Sequence, residues 1–204
     1  MDRVNAFARR LPTWVVYVAG TLPFLWLVWL VVSGDIGADP VRLVERKLGL
    51  TGLQFLLASL AITPLRRIGL NLIRFRRALG LLAFFYIALH LTAWVWLDMG
   101  LRWSEVVADL WKRPYIILGM VGLVAMLPLA ATSTNAAIRA MGPLAWGRLH
   151  RLAYIALIAG VLHLLILVKI WTGRELAYAA IAVVLLGLRL LPRRAKPKPV
   201  RAAA

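Results

Sequence analysis

Three histidines are the residues of this sequence best suited to bind a metal or a cofactor. His90, His150 and His163 all lie inside, or at the edge of, long apolar segments. Ionisable residues within a membrane are usually functional and imidazole is a common metal ligand, so one interpretation is a haem site. The alternatives are interhelical hydrogen bonds, or a transporter or assembly scaffold whose histidines bind a transition metal or relay protons.

The absence of cysteine from the sequence narrows the cofactor chemistry. Without thiols, disulfides, iron–sulfur clusters, thiolate-ligated haem and the C-x-x-C-H attachment of c-type haem are excluded. Any cofactor has to be held by histidine, arginine, methionine or the backbone.

Counting residues along the predicted helices pairs His90 with His163. The third and fifth spans run in the same direction, so depth can be counted from the same end of each. His90 lies 13 residues beyond Arg77, and His163 lies 13 residues beyond His150. Two imidazoles at the same depth on neighbouring helices leave room for a macrocycle with both axial positions filled, which suits electron transfer.

His150 is predicted on the same helix as His163, about 20 Å away along the axis. It either ligates a second haem, whose other ligand is unusual or absent, or lines a quinone or flavin site. Arg76, Arg77 and Arg151 are candidates to neutralise haem propionates or a flavin phosphate, because a guanidinium pairs well with planar anions. Plain positive-inside charge explains these arginines equally well. Small residues that would admit a flat ring, or serve ordinary helix packing, are Ala83, Ala156, Ala159 and Gly160.

The elements that must position these side chains are membrane helices. Hydrophobic residues make up 62% of the 204-residue chain, far above the roughly 45–50% of a soluble domain. Several apolar runs are close in length to the roughly 20 residues that a helix needs to cross the hydrocarbon core. The sequence predicts an all-α membrane protein, a bundle of six transmembrane helices. The predicted spans are 14–32, 48–63, 79–97, 115–131, 149–171 and 176–191, with Pro64, Pro114 and Pro192 at span ends.

The distribution of charge predicts that both termini are cytoplasmic. In the six-span arrangement, 17 of the 25 Lys and Arg residues fall on the side of the termini, together with only one acidic residue, Asp2. Positive residues favour the cytoplasmic side, so the net charge of +17 reflects orientation rather than nucleic-acid binding. The predicted organisation is a cytoplasmic N-terminus (1–13), a haem domain (14–191) and a basic, disordered cytoplasmic tail (192–204).

Several short segments together resemble a known family. They are Thr63-Pro64-Leu65-Arg66, Arg76-Arg77-Ala78-Leu79-Gly80-Leu81, Leu89-His90, Lys112-Arg113-Pro114-Tyr115, Ala131-Thr132-Ser133 and Leu149-His150-Arg151-Leu152. Their order and spacing on six spans resemble the ferric-reductase-like transmembrane proteins. Within that family they are most similar to the haem-binding membrane subunits of periplasmic methionine sulfoxide reductase systems.

The resemblance implies haem b, one or two per chain, in a bacterial inner membrane. It further implies electrons supplied from the cytoplasmic side by quinol or a flavin reductase, with FMN as a second candidate cofactor, and their delivery to a molybdenum-containing periplasmic partner. The chain would be an electron-transfer subunit rather than a complete enzyme. The alternative is a stand-alone ferric or quinone reductase.

The chain departs from the larger ferric reductases in two respects. This sequence shows no cytoplasmic flavin–nicotinamide domain, so we expect any nicotinamide chemistry to come from another chain. It also has one histidine on its third helix where those relatives have two, and offers Arg76 or Arg77 instead.

Overall fold

The computed structural model of the chain describes residues 1–191. Over this range the structure is helical and contains no strand. The α-helices are α1 (Asp2–Arg10), α2 (Trp14–Ser33), α3 (Pro40–Arg67), α4 (Arg76–Ala93), α5 (Trp103–Lys112), α6 (Pro114–Ala131), α7 (Asn135–Leu149), α8 (Leu152–Leu167) and α9 (Gly173–Gly187). A π-helical turn, Trp94–Asp98, extends α4. The predicted disordered tail, 192–204, lies outside the described residues.

Five stretches of the described chain are long and apolar enough to cross a membrane. They are Trp14–Ser33, Pro40–Arg67, Ile73–Asp98, Pro114–Ala131 and Asn135–Leu167. The predicted all-helical membrane bundle is therefore confirmed. The sixth predicted span coincides with α9, whose 15 residues rise about 22 Å, less than the roughly 30 Å hydrocarbon core. That the chain crosses the membrane six times, with both termini in the cytoplasm, stays a prediction.

The second span begins earlier than predicted, which corrects the sequence interpretation. α3 starts at Pro40, directly after Asp39. The Asp39 carboxylate accepts a hydrogen bond from the backbone N–H of Arg42 (3.1 Å). A capping aspartate followed by proline at the first helical position is a strong start signal. The helix therefore extends beyond the apolar run that defined the prediction.

The end of α3 also differs from the prediction. Pro64 lies inside the last turn, and the helix continues to Arg67. Proline has no N–H, so the carbonyl of Leu60, four residues earlier, loses its helical donor. The Arg189 side chain donates a hydrogen bond to this carbonyl from Nη2 (2.7 Å). A residue distant in sequence thus compensates for a proline that would otherwise favour a helix end.

Two antiparallel helix pairs, α3 with α4 and α6 with α8, form the centre of the bundle, and α4 packs against α6. The second pair is closely packed at Gly122 of α6, where a Cβ atom would lie at ordinary contact distance, 3.6 Å from the Ala156 carbonyl oxygen and 3.7 Å from the Ala159 Cβ. Gly160 lies against the same glycine. These small residues therefore serve helix packing, which was the alternative to a ring-binding role, and Ala83 is fully buried in the core.

The N-terminal helix and the residues after α9 lie at the same end of the bundle. Asn5 donates a hydrogen bond to the carbonyl of Gly69 (2.8 Å), in the α3–α4 connection. At that end Arg67 donates hydrogen bonds to the carbonyls of Leu188 (2.7 Å) and Leu191 (3.2 Å). The last residue of α3 and the connection to α4 thus form hydrogen bonds with both ends of the described chain.

Candidate functional site

The structure brings two of the three histidines together. His90 lies near the end of α4 and His163 near the end of α8, with ring centres 6.1 Å apart and ring planes at 77°. Both side chains are half-buried. The described residues contain no cluster of three or more His, Cys, Asp or Glu side chains able to hold a metal ion. The arrangement is therefore a histidine pair between two helices.

Each histidine of the pair is anchored by a backbone carbonyl of a neighbouring helix. His90 Nδ1 lies 3.0 Å from the carbonyl oxygen of Glu45 in α3. His163 Nδ1 lies 2.6 Å from the carbonyl oxygen of Tyr115 in α6. A carbonyl oxygen only accepts, so Nδ1 carries the proton and donates in both cases. In the neutral form of each ring the free lone pair is then on Nε2, the tautomer that a metal-ligating histidine requires.

A glycine allows each of these close approaches. A Cβ atom at Gly49 would lie 3.3 Å from His90 Nδ1, and one at Gly119 would lie 3.1 Å from His163 Nδ1. Both separations are tighter than ordinary van der Waals contact. Gly49 comes one helical turn after Glu45, and Gly119 one turn after Tyr115. The two halves of the site therefore have the same arrangement. In each, the imidazole contacts a glycine and is hydrogen-bonded to the carbonyl of the residue four positions before that glycine.

The spacing of the rings fits an iron atom between them. A metal–imidazole bond is about 2 Å long, and the ring centre lies about 1 Å behind the ligating nitrogen, so two axial rings on one metal have centres about 6 Å apart. The observed separation is 6.1 Å. His90 and His163 would thus be the residues that hold a haem between α4 and α8, where the haem would supply one-electron transfer.

The histidine pair is connected to α5 through Tyr115 and Arg113. The Tyr115 ring packs edge-on against His163, with centres 5.9 Å apart. Arg113, just outside α6, donates to the Tyr115 hydroxyl (2.9 Å) and lies 3.2 Å from the Asp109 carboxylate. The hydrogen bond to Tyr115 raises the pKa of the Arg113 guanidinium, which stays charged. Helix α5 is thereby held beside the histidine pair.

His150 lies in the turn between α7 and α8, which corrects the prediction that it shares a continuous helix with His163. Its backbone, with ψ of −1°, leaves the helical path between Leu149 and Leu152. The imidazole stacks on Trp146, with ring centres 3.6 Å apart and planes at 26°. Its Nδ1 donates to the Trp146 carbonyl (3.0 Å), so Nε2 is again free.

Trp146 connects His150 to the end of α6. It is half-buried under His150, and its indole N–H donates to the carbonyl of Thr132 (3.0 Å) at the end of α6. The structure thus places an aromatic face against His150 and pairs the other two histidines with each other.

The three candidate arginines have different surroundings. Arg76 is half-buried at the start of α4, whereas Arg77 and Arg151 are exposed. Arg77 donates a hydrogen bond to the Asn135 side chain (2.8 Å) at the start of α7.

Sequence reasoning missed the two glycines and the two carbonyl acceptors. The spacing Glu45-x-x-x-Gly49 and Tyr115-x-x-x-Gly119 was visible, but glycine four residues after another residue is too common in membrane helices to indicate a site. This spacing indicates a histidine-binding site only once the structure shows a histidine packed against the glycine.

A helical bundle with five apolar spans and a half-buried pair of histidines defines a multi-pass membrane protein. The chain belongs to the ferric-reductase-like transmembrane family. Its sequence matches the family described as "Ferric reductase like transmembrane component" over residues 47–161. The match runs from α3 into α8, includes His90 and His150, and ends just before His163.

The chain is similar to proteins named "Protein-methionine-sulfoxide reductase heme-binding subunit MsrQ". Those of Brucella ovis, Brucella canis and Brucella suis are each 45% identical to it over 178 residues, which is 87% of this chain and 80% of the relative. The resemblance found in the sequence is thereby confirmed.

Proposed function

We propose that this protein is the haem-binding membrane subunit of a methionine sulfoxide reductase system, and that it carries electrons across the membrane. The observation that carries the proposal is the His90–His163 pair, with Nδ1 of each ring engaged and ring centres 6.1 Å apart. The names of the MsrQ relatives support the system to which it belongs. Bound between two imidazoles, haem b iron supplies reversible one-electron transfer.

The proposed donor lies on the cytoplasmic side and the acceptor on the periplasmic side of a bacterial inner membrane. The donor is quinol or a flavin reductase, with FMN as a possible second cofactor. The acceptor is the molybdenum-dependent catalytic subunit that reduces methionine sulfoxide in oxidised periplasmic proteins. The chain's own residues hold and orient the haem, and the catalytic chemistry on the sulfoxide belongs to the partner.

The function is tested with purified protein and a methionine sulfoxide reductase catalytic subunit. A reduced-minus-oxidised spectrum should show b-type haem, and a pyridine haemochrome assay should count one or two per chain. The reduced haem should be reoxidised by the catalytic subunit only when methionine sulfoxide is present. Reoxidation by ferric chelates, with none by the catalytic subunit, would favour the stand-alone ferric reductase instead.

Six membrane crossings with both termini cytoplasmic are part of the proposal. α9 follows α3 along its length, since Glu175 pairs with Arg46 (3.8 Å) near one end and Arg189 reaches Leu60 near the other. A fluorescent protein fused after Ala204 should therefore fluoresce, whereas alkaline phosphatase fused there should be inactive. Phosphatase inserted at 101–102, before α5, should be active. The reverse pattern would contradict the topology.

His150 is proposed as the entry point for electrons from the cytoplasmic side. Its imidazole is held against Trp146, with Nδ1 hydrogen-bonded to the Trp146 carbonyl oxygen. His150→Ala is expected to leave the haem between His90 and His163 in place and to slow its reduction by the donor. Haem content and reduction rate should be measured on the same preparation, with Trp171→Ala as an exposed control.

Two outcomes separate the possible roles of His150. Loss of one of two haems would show that it is a ligand. An unchanged haem count with slower reduction would favour a flavin or quinone site. If both quantities equalled those of the parent protein, His150 would have no role in electron entry.

A further inference from the structure

Helix α5 is too short to cross the membrane and connects two spans at one end of the bundle. Its 10 residues rise about 15 Å, whereas the hydrocarbon core is roughly 30 Å thick. The chain reaches α5 from the end of α4 and continues from it into α6. Tyr115, at the start of α6, accepts a hydrogen bond from His163, whose ring centre lies 6.1 Å from that of His90 on α4. Both ends of α5 therefore belong to the end of the bundle that holds the histidine pair.

One side of α5 is fixed against the rest of the bundle. Val106 is buried, and Leu110, one turn later, is half-buried. Asp109 lies next to them around the helix, and its carboxylate is 3.2 Å from the Arg113 guanidinium. Arg113 in turn donates a hydrogen bond to the Tyr115 hydroxyl (2.9 Å). These contacts set the rotation of α5 about its axis, and so they determine which residues face outward.

The outward face of α5 is apolar and aromatic. Trp103, Val107 and Trp111 follow one another at intervals of four residues, which places them on one face of the helix. Their side chains are 64%, 54% and 82% exposed, respectively. Glu105 and Lys112 are exposed on the other side of the helix. Helix α5 is thus amphipathic, and most of its apolar face is not covered by the described part of the chain.

The surroundings of α5 indicate that lipid covers this face. α5 packs against α6, an apolar span whose own outward stripe consists of Ile117, Val121 and Val124. Tryptophan prefers the membrane–water interface, where its ring contacts acyl chains while its N–H reaches polar groups. Four of the nine tryptophans of the chain lie between residues 94 and 111, around α5. An amphipathic helix beside a span, with tryptophan on its apolar face, is typical of helices that lie in the plane of the interface.

We infer that α5 lies parallel to the membrane surface and inserts its apolar face, Trp103, Val107 and Trp111, among the phospholipid acyl chains of the leaflet nearest the histidine pair. The opposite side, with Glu105 and Lys112, faces water. The apolar face of such a helix enters the boundary between headgroups and acyl chains by about 5–10 Å. This inference goes beyond the proposed function, because it depends on neither haem nor a reductase partner.

The absence of cysteine from the sequence allows a single spin label to be attached at a chosen position. Val107→Cys places the label on the apolar face. Glu105→Cys is the matched control, because residues two positions apart lie about 160° apart around a helix, and Glu105 makes only an exposed ion pair, with Arg102. Leu162→Cys, on the exposed surface of α8, gives the reading of a label in lipid.

Each labelled protein is reconstituted into vesicles of phosphatidylethanolamine and phosphatidylglycerol. Power-saturation electron paramagnetic resonance then measures collisions of the label with oxygen, which concentrates in the acyl chains, and with a water-soluble nickel chelate present on both sides of the bilayer. The label at position 107 should be accessible to oxygen and shielded from the chelate, like the label at position 162. Its depth should be about 5–10 Å inside the headgroup level. The label at position 105 should show the reverse preference.

The inference is overturned if the chelate reaches positions 107 and 105 equally, since the apolar face would then lie in water. It is also overturned if position 107 is shielded from both oxygen and the chelate, because protein would then cover the face. Dipolar broadening of the label would identify that protein as a second copy of this chain. Chelate access that is lost only when a methionine sulfoxide reductase catalytic subunit is added would identify the face as a docking surface for that subunit. Circular dichroism of each labelled protein checks that the helices are retained.

Discussion

His90→Ala and His163→Ala should each abolish binding of the haem between α4 and α8. Either substitution removes one of the two imidazoles whose ring centres lie 6.1 Å apart, and with it the interaction that anchors that ring to Glu45 or Tyr115. The remaining imidazole cannot complete six-coordination alone. The low-spin spectrum should disappear, and the pyridine haemochrome count should fall by one haem per chain.

Leu162→Ala is a suitable control for these variants. Leu162 neighbours His163 on α8 but is 41% exposed on the outer surface, so its truncation leaves the site intact. Haem and imidazole added together should restore part of the low-spin spectrum to the alanine variants, because imidazole fills the vacated position. A full haem complement with an unchanged spectrum in both alanine variants would refute the pairing.

Gly119→Ala should weaken haem binding and raise the midpoint potential, although Gly119 itself binds nothing. The added Cβ would lie 3.1 Å from His163 Nδ1 and 3.3 Å from Cε1, so the imidazole must move away from the Tyr115 carbonyl. Loss of such a supporting hydrogen bond typically costs roughly 10–100-fold in metal affinity, and a less basic imidazole stabilises ferric iron less well. Gly49→Ala should act in the same direction on His90, where the Cβ would lie at 3.3 Å.

Gly122→Ala provides the matched control, since it makes the same substitution one turn further along α6. A Cβ there would have its nearest contact at 3.6 Å, with the Ala156 carbonyl oxygen. Redox titration and the low-spin electron paramagnetic resonance signal should distinguish the variants, because a general loss of stability would not shift the potential of the haem that remains bound. An equal shift in Gly119→Ala and Gly122→Ala would argue against a role in positioning the ligand.

Local sequence patterns were sufficient for the helical class and for the depth of the histidines. Length and hydropathy place the spans because every backbone polar group in lipid must be satisfied within a helix. Helical rise then sets depth, so residue counting alone placed His90 and His163 at one level. The ends of α3 were less predictable from the sequence. The helix starts at the Asp39 cap, before the apolar run begins, and it continues past Pro64 because Arg189 donates a hydrogen bond to the Leu60 carbonyl.

The lateral arrangement of the helices was decided by tertiary structure alone. Hydropathy is nearly uniform around a membrane helix, so it does not indicate which face of α3 meets α4, or of α6 meets α8. Packing of small residues determines those faces, and only then do Gly49 and Gly119 come to lie under the two imidazoles. The same holds for Arg189 and the Leu60 carbonyl, which are far apart in sequence and meet because the end of α9 packs against α3. Contacts between helices depend on rotation about each helix axis, and side-chain shape sets that rotation only when the helices pack together.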